Sequence, residues 1–189
     1  MPTSPSPIVP MPDAYAPAEV AVRVRDGGVG KATAPAAALV ALAVLAGAFI
    51  ALGGLFYTVT ITAGPNQSGH LGLTRLAGGV AFSLRLILVV VGGAELFTGN
   101  NLMAMAWAAG RVTGAQVLRN WGLVYLGNLA GAIGTVVLVL LAGIPQMSDG
   151  AVGETMIRIA RAKVTLDPVS ALARGVLCNV LVCLAVWLC

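Results

Sequence analysis

An interruption in an apolar stretch contains the residues of this chain best suited to chemistry. Residues 92–101 read GGAELFTGNN, between apolar runs from Leu76 to Val91 and from Leu102 to Ala109. The first run would cover about 24 Å as a helix, less than the roughly 30 Å of a bilayer core, so both runs together make one crossing. Backbone freed from a helix is stable at this depth only where protein buries it or where it lines a watery cavity. The pattern predicts a broken helix of the kind that forms small-ion sites in transport proteins.

Two polar residues of the interruption are candidates for function. A carboxylate at membrane depth is costly unless it is paired or hydrated, so Glu95 either anchors the broken loop by accepting backbone N–H bonds or faces a pore. The alternative is a purely structural ion pair between Glu95 and Arg85 or Arg174. The hydroxyl of Thr98 can donate a hydrogen bond to an anion or to a freed carbonyl.

The other side chains of the interruption admit structural and functional interpretations. Leu96 and Phe97 suit either a hydrophobic constriction or the protein core. Asn100 and Asn101 are predicted to cap the second half-helix rather than to bind a solute. The N-terminal end of that half-helix would present N–H groups and a positive dipole end, which attract an anion.

The composition indicates an integral membrane protein of helical type, because 58% of the residues are hydrophobic and only 10% are charged. The net charge of +4 does not indicate nucleic acid as a partner, because the basic residues are scattered and form no stripe. The three cysteines lie in the last apolar segment without metal-binding spacing and are interpreted as packing residues. Since no hydrolytic triad, metal cluster or phosphate loop is visible, we expect no catalytic residues, no metal and no cofactor.

Hydropathy divides the chain into a tail and four spans. Residues 1–33 contain six prolines and are predicted to be a disordered tail, which a small excess of nearby basic residues places in the cytoplasm. Residues 34–189 form the membrane domain. Its spans are predicted at 34–60, 76–109 (the broken one), 121–142 and from Pro168 to the last residue, with a short helix at 152–163 before the fourth.

Several motifs within residues 34–189 resemble the formate/nitrite transporter family of pentameric anion channels. They are AGAFI at 46–50, GGVAFSL at 78–84, GAELFTGN at 93–100, NW at 120–121 with GN at 127–128, and RGVLCN at 174–179 leading to VCLAVW at 182–187. The resemblance implies an all-α, aquaporin-like bundle of six spans with two broken helices, a pore in each protomer, and a multi-pass location in the inner (plasma) membrane. Four of those spans would be present here, the second one broken.

The resemblance also implies roles by position in this sequence. Residues that match apolar constrictions of the pore are Phe82, Leu86, Leu96 and Phe97. Thr98 matches the threonine that faces the central anion site, Lys163 matches a lysine of the outer vestibule, and Asn179 matches an asparagine of the fourth span.

Two departures from the family pattern limit the expectation. Arg85 stands where a small residue is expected, and the chain ends before the fifth and sixth spans, which would carry a central histidine for proton exchange.

The predicted function is transport of small monovalent anions such as formate or nitrite through a homo-pentamer. The alternative is a truncated, non-conducting subunit that co-assembles with full-length protomers or is degraded. A neutral-solute channel of aquaporin type is less favoured, because the Asn-Pro-Ala motif is absent.

Overall fold

The described part of the chain, residues 15–62 and 71–188 of this computed structural model, consists of α-helices, one short 3-10 helix (Ile144–Gln146) and connecting turns. The α-helices are α1 (Pro17–Thr33), α2 (Ala36–Ile61), α3 (Leu71–Val91), α4 (Phe97–Asn100), α5 (Met103–Ala108), α6 (Gly114–Leu141), α7 (Ala151–Val164) and α8 (Pro168–Trp187). Four of them, α2, α3, α6 and α8, are long and apolar enough to cross a membrane. The predicted all-helical membrane fold with four spans is confirmed.

The second span is broken after Val91, as the sequence predicts, but the break is shorter than the predicted 92–101, because helical structure resumes at Phe97 with the short helices α4 and α5. The predicted length of the first half was wrong: α3 begins at Leu71 rather than Leu76 and is long enough to cross a membrane without the second half. The predicted helix at 152–163 corresponds to α7. At the start of α8, an oxygen of Asp167 accepts hydrogen bonds from the N–H groups of Val169 and Ser170. The pKa of the Asp167 carboxyl is lowered, first by hydrogen bonding with the Ser170 side chain and then by these backbone N–H groups.

Residues 17–33, which the sequence led us to assign to a disordered tail, form helix α1. Pro17 occupies its first position, and the carboxylate of Glu19 accepts a hydrogen bond from the N–H of Ala16. The buried residues Gly28 and Ala32, four positions apart, lie on the face of α1 that packs against α5 and α6. The prolines misled the prediction because they lie almost entirely before the helix, within residues 1–14, which are outside the described part.

Helices α2 and α6 approach closely at glycines. A Cβ on Gly47 would collide with the backbone carbonyl of Asn128, and a Cβ on Gly131 would collide with the carbonyl of Val44. A Cβ on Gly127 would lie 2.5 Å from that of Ala43. Small residues permit this contact between backbones, which is the main source of helix association where lipid removes the hydrophobic drive.

We expect Gly131→Ala to destabilise the protein by about 1–3 kcal/mol, because the obstacle is a backbone carbonyl that cannot rotate away and the two helices must separate. The measurement is the unfolding midpoint in detergent. Gly134→Ala on the same helix is the matched control, because a Cβ there has no neighbour within 4 Å. Equal effects of the two substitutions would contradict the proposed α2–α6 contact.

Candidate functional site

The break begins where α3 unwinds into a turn. The N–H of Ala94 donates to the carbonyl of Val89 at 2.9 Å, and Gly93 has a φ of 60°, a left-handed conformation that glycine adopts readily. The chain then runs beside α2, where the N–H of Glu95 donates to the carbonyl of Leu42 at 3.2 Å. The freed backbone of the break is therefore bonded to protein rather than exposed to lipid.

Asn128 of α6 joins the break to α2 through three hydrogen bonds. Its Oδ1 accepts from the N–H of Phe97 at 2.9 Å, which satisfies the first N–H group of α4. Its Nδ2 donates to the carbonyls of Glu95 at 2.9 Å and Ala43 at 2.8 Å. One amide side chain thus satisfies backbone groups on both sides of the break and on the neighbouring helix.

A second polar cluster holds the other end of the break. The Nζ of Lys31 in α1 lies 2.8 Å from both carboxylate oxygens of Glu95 and 3.0 Å from Oδ1 of Asn100. The Nδ2 of Asn100 donates to Glu95 at 2.7 Å and to Oδ1 of Asn120 at 2.9 Å, and Nδ2 of Asn120 donates to the carbonyl of Lys31. Asn100 and Asn120 are 1% and 0% exposed, so the amide part of the network is buried, while the side chain of Lys31 is 35% exposed.

The partners of this cluster correct two predictions. Glu95 pairs with Lys31 and with neither Arg85 nor Arg174, and the groups that bond its carboxylate are side chains rather than backbone N–H groups. Asn100 and Asn101 do not cap the second half-helix: Leu96 is the N-cap residue of α4, and the Asn100 amide belongs to the cluster.

Thr98 lies in the first turn of α4, next to α8. Its carbonyl accepts a hydrogen bond from Sγ of Cys183 at 3.3 Å. Its hydroxyl makes no hydrogen bond with any residue of the described part, and the first-turn N–H groups of Thr98 and Gly99 have no acceptor within their own helix. Of these two residues, Gly99 lines the cavity beside the break, and Thr98 is not among the residues of its wall.

A cavity of about 220 Å³ adjoins the break. Its wall consists of residues from the cluster, the break, α4 and the ends of α3 and α8: Lys31, Asn100, Gly93, Ala94, Leu96, Gly99, Val89, Val90 and Val186. The wall is mostly apolar with a charged group at one side, which is the usual character of a small-ligand site. Within residues 15–62 and 71–188, no group of three His, Cys, Asp or Glu side chains is arranged to hold a metal ion.

The apolar candidates separate into two environments. The ring of Phe97 packs against α6, with centroids 5.5 Å from Tyr125 and 6.2 Å from Trp121, so the structure favours the core interpretation of this residue. Leu96 instead lines the cavity. Phe82 and Leu86 are half-buried on α3, where the Phe82 ring lies 5.5 Å from that of Tyr57.

The last two candidates lie on or before α8. Asn179 is one turn before Cys183, and its buried Oδ1 accepts no hydrogen bond from the described residues. Lys163 is exposed near the end of α7 and is not brought to Thr98 by any contact in the described part.

Sequence reasoning missed three residues of the site: Lys31, Asn120 and Asn128. Lys31 was assigned to a disordered tail, although a valine, glycine and alanine at helical spacing precede and follow it at 24, 28 and 32. The two asparagines lie inside an apolar span, where a polar side chain needs a buried partner, and that cost was the available signal.

Four membrane-length helices, one of them followed by a polar break bonded to its neighbours, define a helical membrane protein. The sequence matches the family model described as formate/nitrite transporter over residues 18–189, and the chain therefore belongs to that family. It is 41% identical over 176 residues to "Formate channel FocA" of Escherichia coli (strain K12), an alignment that covers 93% of this chain and 61% of the relative. The chain thus spans less than two thirds of the length of that curated relative.

Two solved structures resemble the fold. "Pentameric formate channel with formate bound" is 43% identical with a TM-score of 0.71, and the match covers 80% of this chain and 59% of that one. "FNT family ion channel" is 24% identical with a TM-score of 0.77, covers 90% of this chain and 67% of that one, and supports the fold alone. The family resemblance and the fold class predicted from the sequence are confirmed.

The Lys31–Glu95 pair yields a stability prediction. Glu95→Gln leaves Lys31 without its counter-ion, and we expect a loss of about 1–3 kcal/mol, below the range for a fully buried pair because the Lys31 side chain is 35% exposed. A double-mutant cycle with Lys31→Met, read from unfolding midpoints in detergent, measures the coupling. Asp26→Asn is the control, because the Asp26 side chain is 50% exposed and its pairs with Arg25 and Arg111 lie at the surface, where their loss is expected to change the midpoint little. A coupling energy of zero between Lys31 and Glu95 would contradict the assigned pair.

Proposed function

We propose that this protein conducts small monovalent anions such as formate through a pore in each protomer. The observation that carries the proposal is the pinned break, whose Thr98 hydroxyl and first-turn N–H groups remain free to donate while the side chains of Glu95 and Asn100 are engaged within the protein. The 41% identity to a protein named as a formate channel supports formate as one substrate.

In the proposed mechanism, Leu96 and the α3 residues Phe82 and Leu86 form apolar constrictions on the pathway. Such constrictions resist wetting and reject hydrated ions, so an anion passes only where donors replace its lost water. The Thr98 hydroxyl is the donor that replaces this lost water. Glu95 holds the break in place, and it does not repel the anion because Lys31 neutralises its charge. Phe97 contributes by packing α4 against α6.

Asn179 and Lys163 complete the proposed pathway. The amide of Asn179 offers both a donor and an acceptor one turn from the Cys183–Thr98 contact, and its unpaired oxygen suits a water molecule or the protonated acid. Lys163, at the exposed end of α7, would raise the local concentration of anions at the outer vestibule.

We further propose that the protein is a multi-pass homo-pentamer of the inner (plasma) membrane. Support comes from the similar solved structure that is named a pentameric formate channel, and from the broad exposed apolar faces of the long helices. Lipid and neighbouring protomers are the surroundings that such faces require.

Thr98 is the first residue to test. We expect Thr98→Ala to reduce formate flux at least about tenfold, because the anion loses a donor at the point where it is least hydrated, whereas Thr98→Ser keeps the hydroxyl and most of the flux. The measurement is radiolabelled formate uptake into liposomes containing the protein expressed from its whole reading frame.

Thr60→Ala is the matched control, because the Thr60 hydroxyl donates only to the carbonyl of Phe56 within its own helix. Size-exclusion profiles of all variants establish that they assemble alike. Equal flux in the Thr98→Ala variant and the unmodified protein would remove Thr98 from the proposed site. No flux above protein-free liposomes for the unmodified protein would reject the channel itself.

A further inference from the structure

Arg85 is a cation inside a membrane span with no carboxylate beside it. The ion pairs of the described residues are Arg25–Asp26, Lys31–Glu95 and Arg111–Asp26, and none includes Arg85. Its guanidinium instead lies over the ring of Phe82, with Cζ 3.4 Å from the ring centroid. An aromatic face compensates only part of the cost of a charge at this depth.

Arg85 lies well inside the length of α3. It follows the first residue of the helix, Leu71, by 14 residues, or about 21 Å, and precedes the last, Val91, by six residues, or about 9 Å, in a helix long enough to cross a membrane. A charged side chain at such a site usually faces a water-filled pathway or pairs with a group of opposite charge.

Arg85 does not lie on the most exposed face of α3. The residues of the most exposed stripe recur at helical spacing and are Leu73, Leu76, Val80, Ile87 and Val91, which are 65%, 64%, 66%, 54% and 82% exposed. Arg85 is half-buried on another face, which it shares with Phe82, Leu86 and the buried Val89 at spacings of three and four residues. The same face leads to the break, because Val89 bonds to Ala94 and lines the cavity.

The backbone around Arg85 is held close to α2. A Cβ on Gly53 would lie 2.5 Å from the Cβ of Arg85, so this glycine makes room for the base of the side chain. The stem is therefore fixed between α2 and α3, and only the guanidinium end is positioned over Phe82. An arginine held in this way presents a permanent charge with several donors at one place.

We propose that Arg85 is a specificity-determining residue of the pore, a fixed cation that recruits the anion at the Phe82–Leu86 constriction before it reaches Thr98. The inference rests on the proposed channel function. A pore lined by arginine favours anions over cations and neutral solutes of the same size. This sequence has an arginine at position 85, where the family pattern leads us to expect a small residue. The proposed effect on anion binding is therefore limited to chains with an arginine at this position.

The test compares the concentration dependence of formate uptake for Arg85→Gln, Arg85→Lys and the unmodified protein, each expressed from the whole reading frame and placed in liposomes. We expect Arg85→Gln to raise the KM about tenfold with a smaller change in Vmax, since the loss of a focusing charge lowers anion occupancy. Arg85→Lys keeps the charge and is expected to stay within about threefold of the unmodified KM. Arg75→Gln is the matched control, because Arg75 is an exposed cation on the same helix and its KM is expected to be unchanged.

Each outcome decides the proposal. An unchanged KM in the Arg85→Gln variant, with formate uptake intact in the unmodified protein, would overturn the role of Arg85 and leave the channel function standing. Equal loss of uptake in the lysine and glutamine variants would also overturn it, because charge would not be the property that matters. If the glutamine variant fails to assemble, Arg85→Gly, which removes the side chain and adds no contact with Gly53, must show the same rise in KM. Absence of uptake in the unmodified protein would reject both proposals together.

Discussion

Lipid cannot satisfy a hydrogen-bonding group of the backbone, and the rest of this structure depends on that constraint. Five residues, 92–96, separate α3 from α4, and most of their N–H and C=O groups have no helical partner. Asn128 and a carbonyl of α2 bond to the break directly, while the Lys31–Glu95–Asn100 cluster fixes its side chains. The glycine contacts between α2 and α6 also help to hold the break in place. The backbone of Asn128 lies where a Cβ on Gly47 would be, so close helix packing places this amide within reach of the break.

The break is bonded to α1, α2 and α6, and its one charged side chain, Glu95, is paired within the protein. Lys31 neutralises Glu95, the buried asparagines complete the network, and the Thr98 hydroxyl remains outside it. Helix α1 is therefore a structural part of the site, since it supplies the only ammonium group within the described cluster. In this arrangement the donors available to an anion are held in place before it arrives, so little reorganisation accompanies binding.

The sequence predicts best what depends on local composition. The number of spans, an interruption after Val91 and the helix before α8 follow from hydropathy, glycine content and Pro168, all of which act within a few residues. The bounds were less accurate, because α3 and α6 begin five and seven residues before their predicted starts and the break covers 92–96 rather than 92–101. The partner of Glu95 could not be predicted in this way, because Lys31 is 64 positions away and lies in a segment dominated by prolines. Asn128 bonds across 31 and 33 positions, and the packing of Phe97 against Tyr125 depends on the same helix contact. Motif resemblance identified Thr98 but said nothing of the residues that hold it in place.

Amide-resolved hydrogen exchange across the break, in lipid nanodiscs, tests the central claim most directly. The account predicts slow exchange for the N–H groups of Glu95 and Phe97, which are bonded to Leu42 and Asn128. It predicts faster exchange for Thr98 and Gly99, which slows when formate is added. Fast exchange at Glu95 and Phe97 would contradict the account, because the break would then not be held by the protein around it.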